Sequence, residues 1–241
     1  MIRVLVWNEF FHENCKDNKA SEIYPLGIHA CIADFLGKEE DIEVKTATLL
    51  DESCGITREI LQNTDVLIWW GHCRHDMVPD EVAQMIYEEV NNGMGVIFLH
   101  SAHKSKPFMR LMGTSCSLIW RESDDKVRHW VASPYHPIAQ GIERFLEISA
   151  DETYGEPFGI PNPDETVFIS WHSGGEVFRS GCCWQRGNGK VFYFQAGHET
   201  YPIYKYEGVQ RVIKNAVRWA APSYRVKNCM DCPNPAAVES K

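Results

Sequence analysis

Residues 95–100, Gly95-Val96-Ile97-Phe98-Leu99-His100, form a short apolar run that ends in a histidine. Two other runs share this pattern, since Val66–Trp70 leads to His72 and Val191–Phe194 leads to His198. Strands that are apolar on both faces are typical of parallel sheets covered by helices. If the three runs are neighbouring strands, their carboxyl ends bring three imidazoles to one edge. That edge is where open α/β sheets bind ligands.

The composition limits the class of protein. The chain has 241 residues, 44% of them hydrophobic, which is ample for a continuous core. Its formal charge of −9, with no run of Lys or Arg, argues against nucleic acid as a partner and favours a neutral or cationic small molecule. No apolar stretch approaches the roughly 20 residues that cross a bilayer, and the N-terminus does not resemble a secretory signal. Nine cysteines, an odd number, do not resemble a disulfide framework, so we expect a cytoplasmic protein with no membrane partner.

Helix and strand signals alternate up to about Leu111. Helical periodicity over Pro25–Leu36 and Pro79–Asn92 separates strand-like runs, which predicts a doubly wound, mostly parallel α/β sheet. These runs are Ile2–Trp7, Ile42–Ala47, Asp65–Trp70 and Gly95–Leu99. We expect one α/β domain over residues 1–222 and a C-terminal extension over residues 223–241, on the surface or on a neighbouring subunit of a homo-oligomer.

The second half of the chain has a different pattern. Short strand-like runs are separated by Pro, Gly and Asp rather than by helices, which predicts an antiparallel excursion. The runs are Ser115–Trp120, Lys126–Val131, Phe145–Ile148, Thr166–Trp171, Glu176–Gln185 and Lys190–Gln195. A final amphipathic helix is predicted over Ile203–Ala220.

Two His-x-x-His spacings follow buried strands, at His72 and His75 and at His100 and His103. A catalytic zinc site needs about three protein ligands and an open position, so a divalent metal such as zinc is one interpretation. The other is that these side chains pack, cap helices or bind substrate hydroxyls. The sequence leaves both open.

Two residues beside these histidines are candidate nucleophiles. Cys73 and Ser101 each lie just past a strand, where a helix N-terminus lowers a thiol pKa or stabilises an oxyanion. A nucleophile elbow, however, requires small residues two positions before and after the nucleophile. Neither residue satisfies this fully, so a cysteine or serine hydrolase is only an alternative.

Three further motifs carry polar groups. His198-Glu199 pairs an imidazole with a carboxylate for acid/base chemistry, although Glu199 is equally suited to cap the following helix. The segment Asp151-Glu152-Thr153-Tyr154 suits sugar binding, or is a solvated acidic loop. Cys229 and Cys232 have the spacing of half a zinc ribbon, without a second pair.

Several of these motifs resemble the ThuA-like (trehalose utilisation) family. They are Gly187–Glu199, Asn215–Ala220, Trp70-Gly71-His72, Leu99-His100-Ser101, His136-Pro137-Ile138 with Gly141-Ile142, and Asp151–Tyr154. The resemblance covers residues 1–222. It implies a flavodoxin-like fold of the class I glutamine-amidotransferase type, with the active cleft at the carboxyl edge of the sheet. Such enzymes have a cysteine after the strand that here ends at Leu99, whereas this chain has His100-Ser101-Ala102, so we expect no glutaminase activity.

The resemblance further implies a role with trehalose-derived or related keto-disaccharides. We therefore expect histidine acid/base chemistry, as an isomerase, lyase or hydrolase, with a small sugar as substrate. His100 and His198 are the candidate base and acid, with Glu199 as the orienting carboxylate. His72, His75 and His103 are candidate metal ligands or hydroxyl binders. The candidate substrate-binding residues are Asn8, Trp70, Ser101, Asp151, Glu152 and Tyr154. A non-catalytic sugar-binding or regulatory module is the competing interpretation.

Overall fold

The parallel half of the sheet consists of the apolar runs that the sequence identified. The computed structural model describes residues 1–227 and 229–239. Five strands pair in parallel, in the order β2-β1-β3-β4-β9. They are β1 (Ile2–Asn8), β2 (Ile42–Thr48), β3 (Val66–Trp70), β4 (Gly95–Leu99) and β9 (Gly189–Phe194). The pairing makes β3, β4 and β9 consecutive neighbours, so the residues that follow them lie at one edge.

The other half of the same sheet is antiparallel, in the order β9-β8-β7-β5-β6. These strands are β5 (Ile119–Val131), β6 (Phe145–Gly155), β7 (Glu165–His172) and β8 (Val177–Arg186). In the described residues, four of the eight strand pairings are therefore antiparallel, and the expectation of a mostly parallel sheet is wrong. The physical reason is the connections: a turn as short as the one between Arg186 and Gly189 can only join antiparallel strands, because a parallel pair needs a long crossover.

The two short strands predicted near residue 120 are one long strand. Residues 119–131 form β5 without interruption, and its register against β6 shifts between Arg121 and Asp125 and again between Asp125 and Val127. Such irregularities weaken the alternation of apolar and polar residues. Residues 115–118, which the sequence placed in a strand, precede it.

Helices cover both faces of the sheet. They are α1 (Lys19–Ile23), α2 (Ile28–Leu36), α3 (Arg58–Gln62), α4 (Asp80–Asn91), α5 (Lys106–Met112) and α6 (Glu207–Ala220). One apolar core lies between the sheet and α2 and α6, and the other lies under α3, α4 and α5. The predicted helices α2, α4 and α6 are confirmed, although α6 begins at Glu207, after a separate turn of 3-10 helix over Ile203–Lys205.

The extension after residue 222 returns to the surface of its own chain. Arg225 donates hydrogen bonds to the backbone carbonyls of Leu61, Gln62 and Thr64 and forms an ion pair with Glu89. The thiol of Cys229 contacts the carbonyl oxygen of Asn91 at 3.0 Å. None of the helices in residues 1–227 and 229–239 is long and apolar enough to cross a membrane.

Candidate functional site

Three histidines from distant parts of the sequence meet where β3, β4 and β9 end. The ring centroids of His72 and His198 lie 5.4 Å apart, those of His100 and His198 5.4 Å, and those of His72 and His100 6.2 Å. The strand order explains the convergence, since the three strands are neighbours and parallel. The candidate site therefore lies at the carboxyl edge of the parallel half of the sheet.

His100 occupies the sharp turn directly after β4. Its backbone φ is +53°, a left-handed conformation that is uncommon for a residue with a side chain and that clusters at functional sites. Its ring Nδ1 lies 2.9 Å from the carbonyl oxygen of Gln195, and because a carbonyl can only accept, Nδ1 carries the proton. Nε2 then faces the cluster, 3.0 Å from Oε2 of Glu152 and 3.4 Å from the hydroxyl of Tyr154.

Asp151 and Glu152, adjacent acidic residues of β6, have different roles. Asp151 is fully buried and accepts hydrogen bonds from the backbone N–H groups of Gly197 and His198, both at 3.2 Å, so it holds the segment after β9 in place. Burial raises the pKa of Asp151 to about 6. Burial also opposes ionisation of Glu152, but the adjacent His100 outweighs this, and the pKa of Glu152 is lowered. Burial likewise opposes protonation of His100, yet these carboxylates prevail and its pKa is raised.

Glu199 lies between two histidines. Its Oε1 is 2.7 Å from Nδ1 of His12 and 3.0 Å from Nδ1 of His72. Burial alone raises the pKa of this carboxyl, but the contacts with His12 and His72 outweigh it and hold the pKa well below its ordinary range. The same contact with Glu199 raises the pKa of His12. The sequence analysis missed His12, although it follows β1, whose carboxyl end lies at the same edge.

Glu9 holds the loop that carries His72. Its carboxylate accepts hydrogen bonds from the backbone N–H groups of His72, Cys73 and Arg74, at 2.8, 3.1 and 2.9 Å. The thiol of Cys73 also donates to Glu9 at 3.2 Å. Burial, reinforced by this carboxylate, raises the pKa of Cys73 to about 12, which is the opposite of activation.

Ser101 is not arranged as an activated nucleophile either. Its hydroxyl lies 2.9 Å from the hydroxyl of Tyr154, and in the part of the chain that the structure describes no histidine hydrogen bonds to it. The sharp turn itself carries His100 rather than Cys or Ser. Sγ of Cys73 does lie 3.7 Å from Nε2 of His12, but burial and the adjacent Glu9 carboxylate oppose formation of the thiolate, so the geometry does not favour the hydrolase alternative.

A cavity of about 290 Å³ opens beside the cluster. Its wall combines imidazole, carboxylate and hydroxyl groups with an exposed indole, since Trp120 has 62% of its surface accessible. The lining residues are His72, His75, Ser101, His103, Lys104, Leu118, Trp120, Glu122, Glu152 and Tyr154. The cavity can therefore offer both hydrogen-bonding groups and a flat apolar face to a ligand.

The predicted metal ligands do not form one donor set. Among the residues that the structure describes, two groups of three place their donor atoms within 4.8 Å of one another: His100, Glu152 and His198, and His12, His72 and Glu199. The predicted combination of His72, His75 and His103 is not one of them. His103 instead bonds the carbonyl of Cys116 at 2.7 Å through Nδ1, and burial lowers its pKa to about 3.

Three predicted substrate-binding residues lie inside the protein, namely Asn8, Trp70 and Asp151. The side-chain amide of Asn8 donates to Glu13 at 2.7 Å. Trp70 is 1% exposed, and its indole N–H donates to the carbonyl of Gly197 at 3.0 Å. None of the three borders the cavity, because Asn8 and Trp70 turn into the packed interior and Asp151 faces the backbone of Gly197 and His198. We interpret all three as residues that position the site.

Known proteins resemble this chain both in sequence family and in fold. The family described as ThuA, trehalose utilisation, matches residues 3–220. No curated protein matches the chain. A ThuA-like protein from Parabacteroides merdae is similar over 93% of this chain and 92% of its own, with 16% identity and a TM-score of 0.67. One from Bacteroides uniformis is similar over 90% of both chains, with 17% identity and a TM-score of 0.64.

The fold also extends beyond that family. A chain of PurLQS from Thermotoga maritima, with a glutamine-amidotransferase-like fold, is similar over 90% of this chain and 98% of its own. The identity is 14% and the TM-score 0.52. At such identities the likeness concerns the fold alone, which agrees with the expected amidotransferase-like architecture.

Proposed function

The chain belongs to the ThuA family, and from this premise and the geometry of the site we propose that it is an enzyme acting on a keto sugar by proton transfer. The substrate class is a trehalose-derived or related keto-disaccharide. The hydrogen on a carbon next to a ketone is acidic enough to be removed by a side chain of near-neutral pKa, provided the resulting enolate is stabilised. The family description supports the sugar, and the cluster of histidines and carboxylates supports the proton transfer.

One observation carries this proposal: Glu199 holds His12 and His72 at ion-pair distance, and His72 lines the cavity. In the proposed step, the imidazole of His72 accepts the proton from the carbon next to the ketone, the C–H electron pair forms a C=C bond, and the C=O π pair moves to the oxygen. The imidazolium that forms is stabilised by the carboxylate of Glu199. Return of a proton to the same carbon completes an exchange. Protonation of the former carbonyl carbon, with loss of the proton from the neighbouring hydroxyl, completes an isomerisation.

His100 and His198, the predicted base and acid, lie behind the cavity wall. Their exposed fractions are 0% and 4%, and neither lines the cavity. Glu152 lies between His100 and the cavity and contacts both. We therefore propose His72 as the group that meets the substrate and His100 as a residue that positions Glu152.

The volume and lining of the cavity favour one enclosed sugar ring. About 290 Å³ is at the lower end of ligand pockets, which span roughly 300–1,000 Å³. The hydroxyls of Ser101 and Tyr154 and the carboxylate of Glu152 can pair with sugar hydroxyls. The exposed indole of Trp120 offers a flat face to the ring or to the second sugar unit. All nine cysteines are free, which suits a protein that works in the reducing cytoplasm.

Deuterium exchange tests the proposal directly. The protein is incubated with 3-keto-trehalose in D₂O, and incorporation at the carbons next to the ketone is followed by NMR. We expect exchange well above the buffer rate, reduced at least about 100-fold in His72→Gln and in Glu199→Gln because each removes part of the proton-transfer group. His136→Gln is the matched control, since His136 packs against Trp219 at the end of α6, away from the cavity.

The same experiment separates the competing function. A non-catalytic sugar-binding module is favoured by the exposed indole beside a polar cavity. Saturable binding of the keto sugar with exchange no faster than in buffer would refute the enzyme and support that module. Exchange that survives both substitutions would refute the assignment of His72 and Glu199.

A further inference from the structure

Three buried donor groups converge directly behind the cavity, on His100, Glu152 and His198. We propose that these three side chains bind one divalent transition-metal ion, through the two Nε2 atoms and the Glu152 carboxylate. Their donor atoms lie within 4.8 Å of one another, and all three residues are buried. Two imidazoles and one carboxylate form the donor set of several catalytic zinc sites and of non-haem iron sites.

One of the converging atoms is buried without a protein partner, and a second has only an ion-pair contact. Within the described residues, His198 Nε2 has no hydrogen-bond partner, and Glu152 Oε2 has none beyond the ion pair with His100. His198 is 4% and Glu152 3% exposed, so bulk water does not solvate them. Buried polar atoms without a partner are rare in native proteins and call for an occupant.

The contact between His100 and Glu152 points the same way. Nε2 of His100 lies 3.0 Å from Oε2 of Glu152, which is ion-pair distance, yet the pair does not have hydrogen-bond geometry. Two ligands of one four-coordinate zinc ion are separated by roughly 3.4 Å, as follows from bonds of about 2.0–2.1 Å. The observed spacing is close to that value. A shared cation would satisfy both atoms at once.

The other nitrogen of each imidazole also has a neighbouring group. Nδ1 of His100 donates to the carbonyl of Gln195 at 2.9 Å, whereas Nδ1 of His198 lies 2.9 Å from the hydroxyl of Thr200 and accepts the backbone N–H of Thr200 at 3.3 Å. Metal-binding histidines almost always have their second nitrogen held in this way, because the bond fixes the tautomer and the ring orientation. His100 has this arrangement, while Thr200 orients the ring of His198, and both rings direct Nε2 toward Glu152.

The other three-residue group is less suited to an ion. In the group of His12, His72 and Glu199, both Nδ1 atoms approach the same carboxylate oxygen, at 2.7 and 3.0 Å, so direct ion pairs account for the arrangement. No carbonyl or hydroxyl holds the second nitrogen of either histidine in the described part of the chain. This group remains the competing site, and the experiment must distinguish the two.

The inference rests on the proposed function only for the role that the bound ion would have in the reaction. A divalent ion held by Glu152, which also lines the cavity, would polarise the ketone oxygen and stabilise the enolate. Ion binding itself is measured without any sugar. A failure to bind metal would therefore leave the deuterium-exchange experiment interpretable. Likewise, a failure to catalyse exchange would leave the metal titration interpretable.

The test is titration of the chelator-treated, full-length protein with Zn²⁺ and with Co²⁺. Calorimetry gives the stoichiometry and affinity, and the visible absorption of Co²⁺ reports imidazole and carboxylate ligation. We expect one ion per chain. Glu152→Gln and His198→Gln should weaken binding by more than about 100-fold, and Thr200→Val by roughly 10-fold through loss of the outer hydrogen bond.

Two control variants test whether the ion binds at the proposed group of residues. His75→Gln, at a histidine that belongs to neither group, and His12→Gln, in the competing group, should retain parental affinity. Circular dichroism and urea unfolding check that each variant is folded. If a ligand variant does not fold, Thr200→Val still tests the inference. The absence of binding in the parent would overturn the inference. So would a loss of affinity in His12→Gln with none in Glu152→Gln and His198→Gln.

Discussion

Gly197 lies between β9 and His198, at a position where the structure leaves no room for a side chain. Its φ is +148°, a conformation that residues with a Cβ rarely adopt. A Cβ added there would overlap the hydroxyl oxygen of Tyr204, approach Cζ of the same ring at 2.9 Å and lie 3.2 Å from Cβ of His100. Gly197→Ala therefore introduces two separate penalties, one in the backbone and one in packing.

The expected magnitude follows from these two penalties. A sparsely populated backbone conformation costs about 1–3 kcal/mol. Overpacking of a closed core costs about 1–3 kcal/mol more. We therefore expect Gly197→Ala to lower the free energy of unfolding by about 2–6 kcal/mol. This is a large fraction of the roughly 5–15 kcal/mol that a domain possesses.

A double-mutant cycle separates the two penalties. Tyr204→Phe alone loses one long hydrogen bond, from its hydroxyl to the Gly197 carbonyl at 3.5 Å, and should cost about 1 kcal/mol. In the double variant the overlapping oxygen is gone, although Cζ remains. The double variant should therefore be about 1–2 kcal/mol more stable than the sum of the single effects predicts.

Urea unfolding, followed by tryptophan fluorescence and by circular dichroism, measures all four proteins of the cycle. The m-values must agree, so that the differences reflect stability. Additive effects, with a coupling below about 0.5 kcal/mol, would refute the packing argument. A stability of Gly197→Ala equal to that of the parent would refute the backbone argument as well.

Three further predictions concern stability. Burial lowers the pKa of His129 to about 3 in the folded protein, so as the pH falls the unfolded chain takes up its proton first. The free energy of unfolding should therefore fall by on the order of 4 kcal/mol as the pH drops from about 6.5 toward 3. The slope of urea midpoint against pH should be smaller in His129→Leu. Gly95→Ala should unfold at least about 2 kcal/mol more easily, because its Cβ would overlap the Ala220 carbonyl oxygen, whereas an unchanged midpoint would contradict this. Arg225→Ala should cost about 2 kcal/mol by leaving buried Glu89 without its main partner, and Glu89→Gln in the same background should recover part of the loss.

The parallel half of the fold could be predicted because its signals are local. The run Gly95–Leu99 is apolar on both faces and ends at a polar residue, which suffices to identify a buried strand and its carboxyl end. For the antiparallel half, the sequence predicts the presence of antiparallel strands but not the bounds of each strand. In β5, the register shifts around Asp125 break the alternation, so one strand of thirteen residues resembles two short ones.

Site residues that directly follow strand ends could be predicted from the sequence. Site residues that are brought together only by contacts between distant loops could not. His72, His100 and His198 follow neighbouring strands, so their meeting depends on strand order alone. His12 lies within a polar stretch that has no periodicity, and only the folded loop brings it to Glu199. The sequence also gave no sign that Glu9 binds the loop after β3, because a carboxylate that accepts three backbone N–H groups has no characteristic spacing.

The turn at His100 indicates why this edge of the sheet is organised as it is. A left-handed conformation costs on the order of 1 kcal/mol or more for a residue with a side chain, and it persists only where the surroundings impose it. Here the hydroxyl of Tyr193 donates to the carbonyl of His100 at 3.0 Å, and the Gln195 carbonyl fixes the ring. In hydrolases such a turn exposes a nucleophile. In this chain the same turn directs Nε2 of an imidazole at the buried carboxylate of Glu152, so the strained backbone serves to position this imidazole. A strained turn therefore does not by itself identify a nucleophile; the residue that occupies it and the groups it faces decide the chemistry.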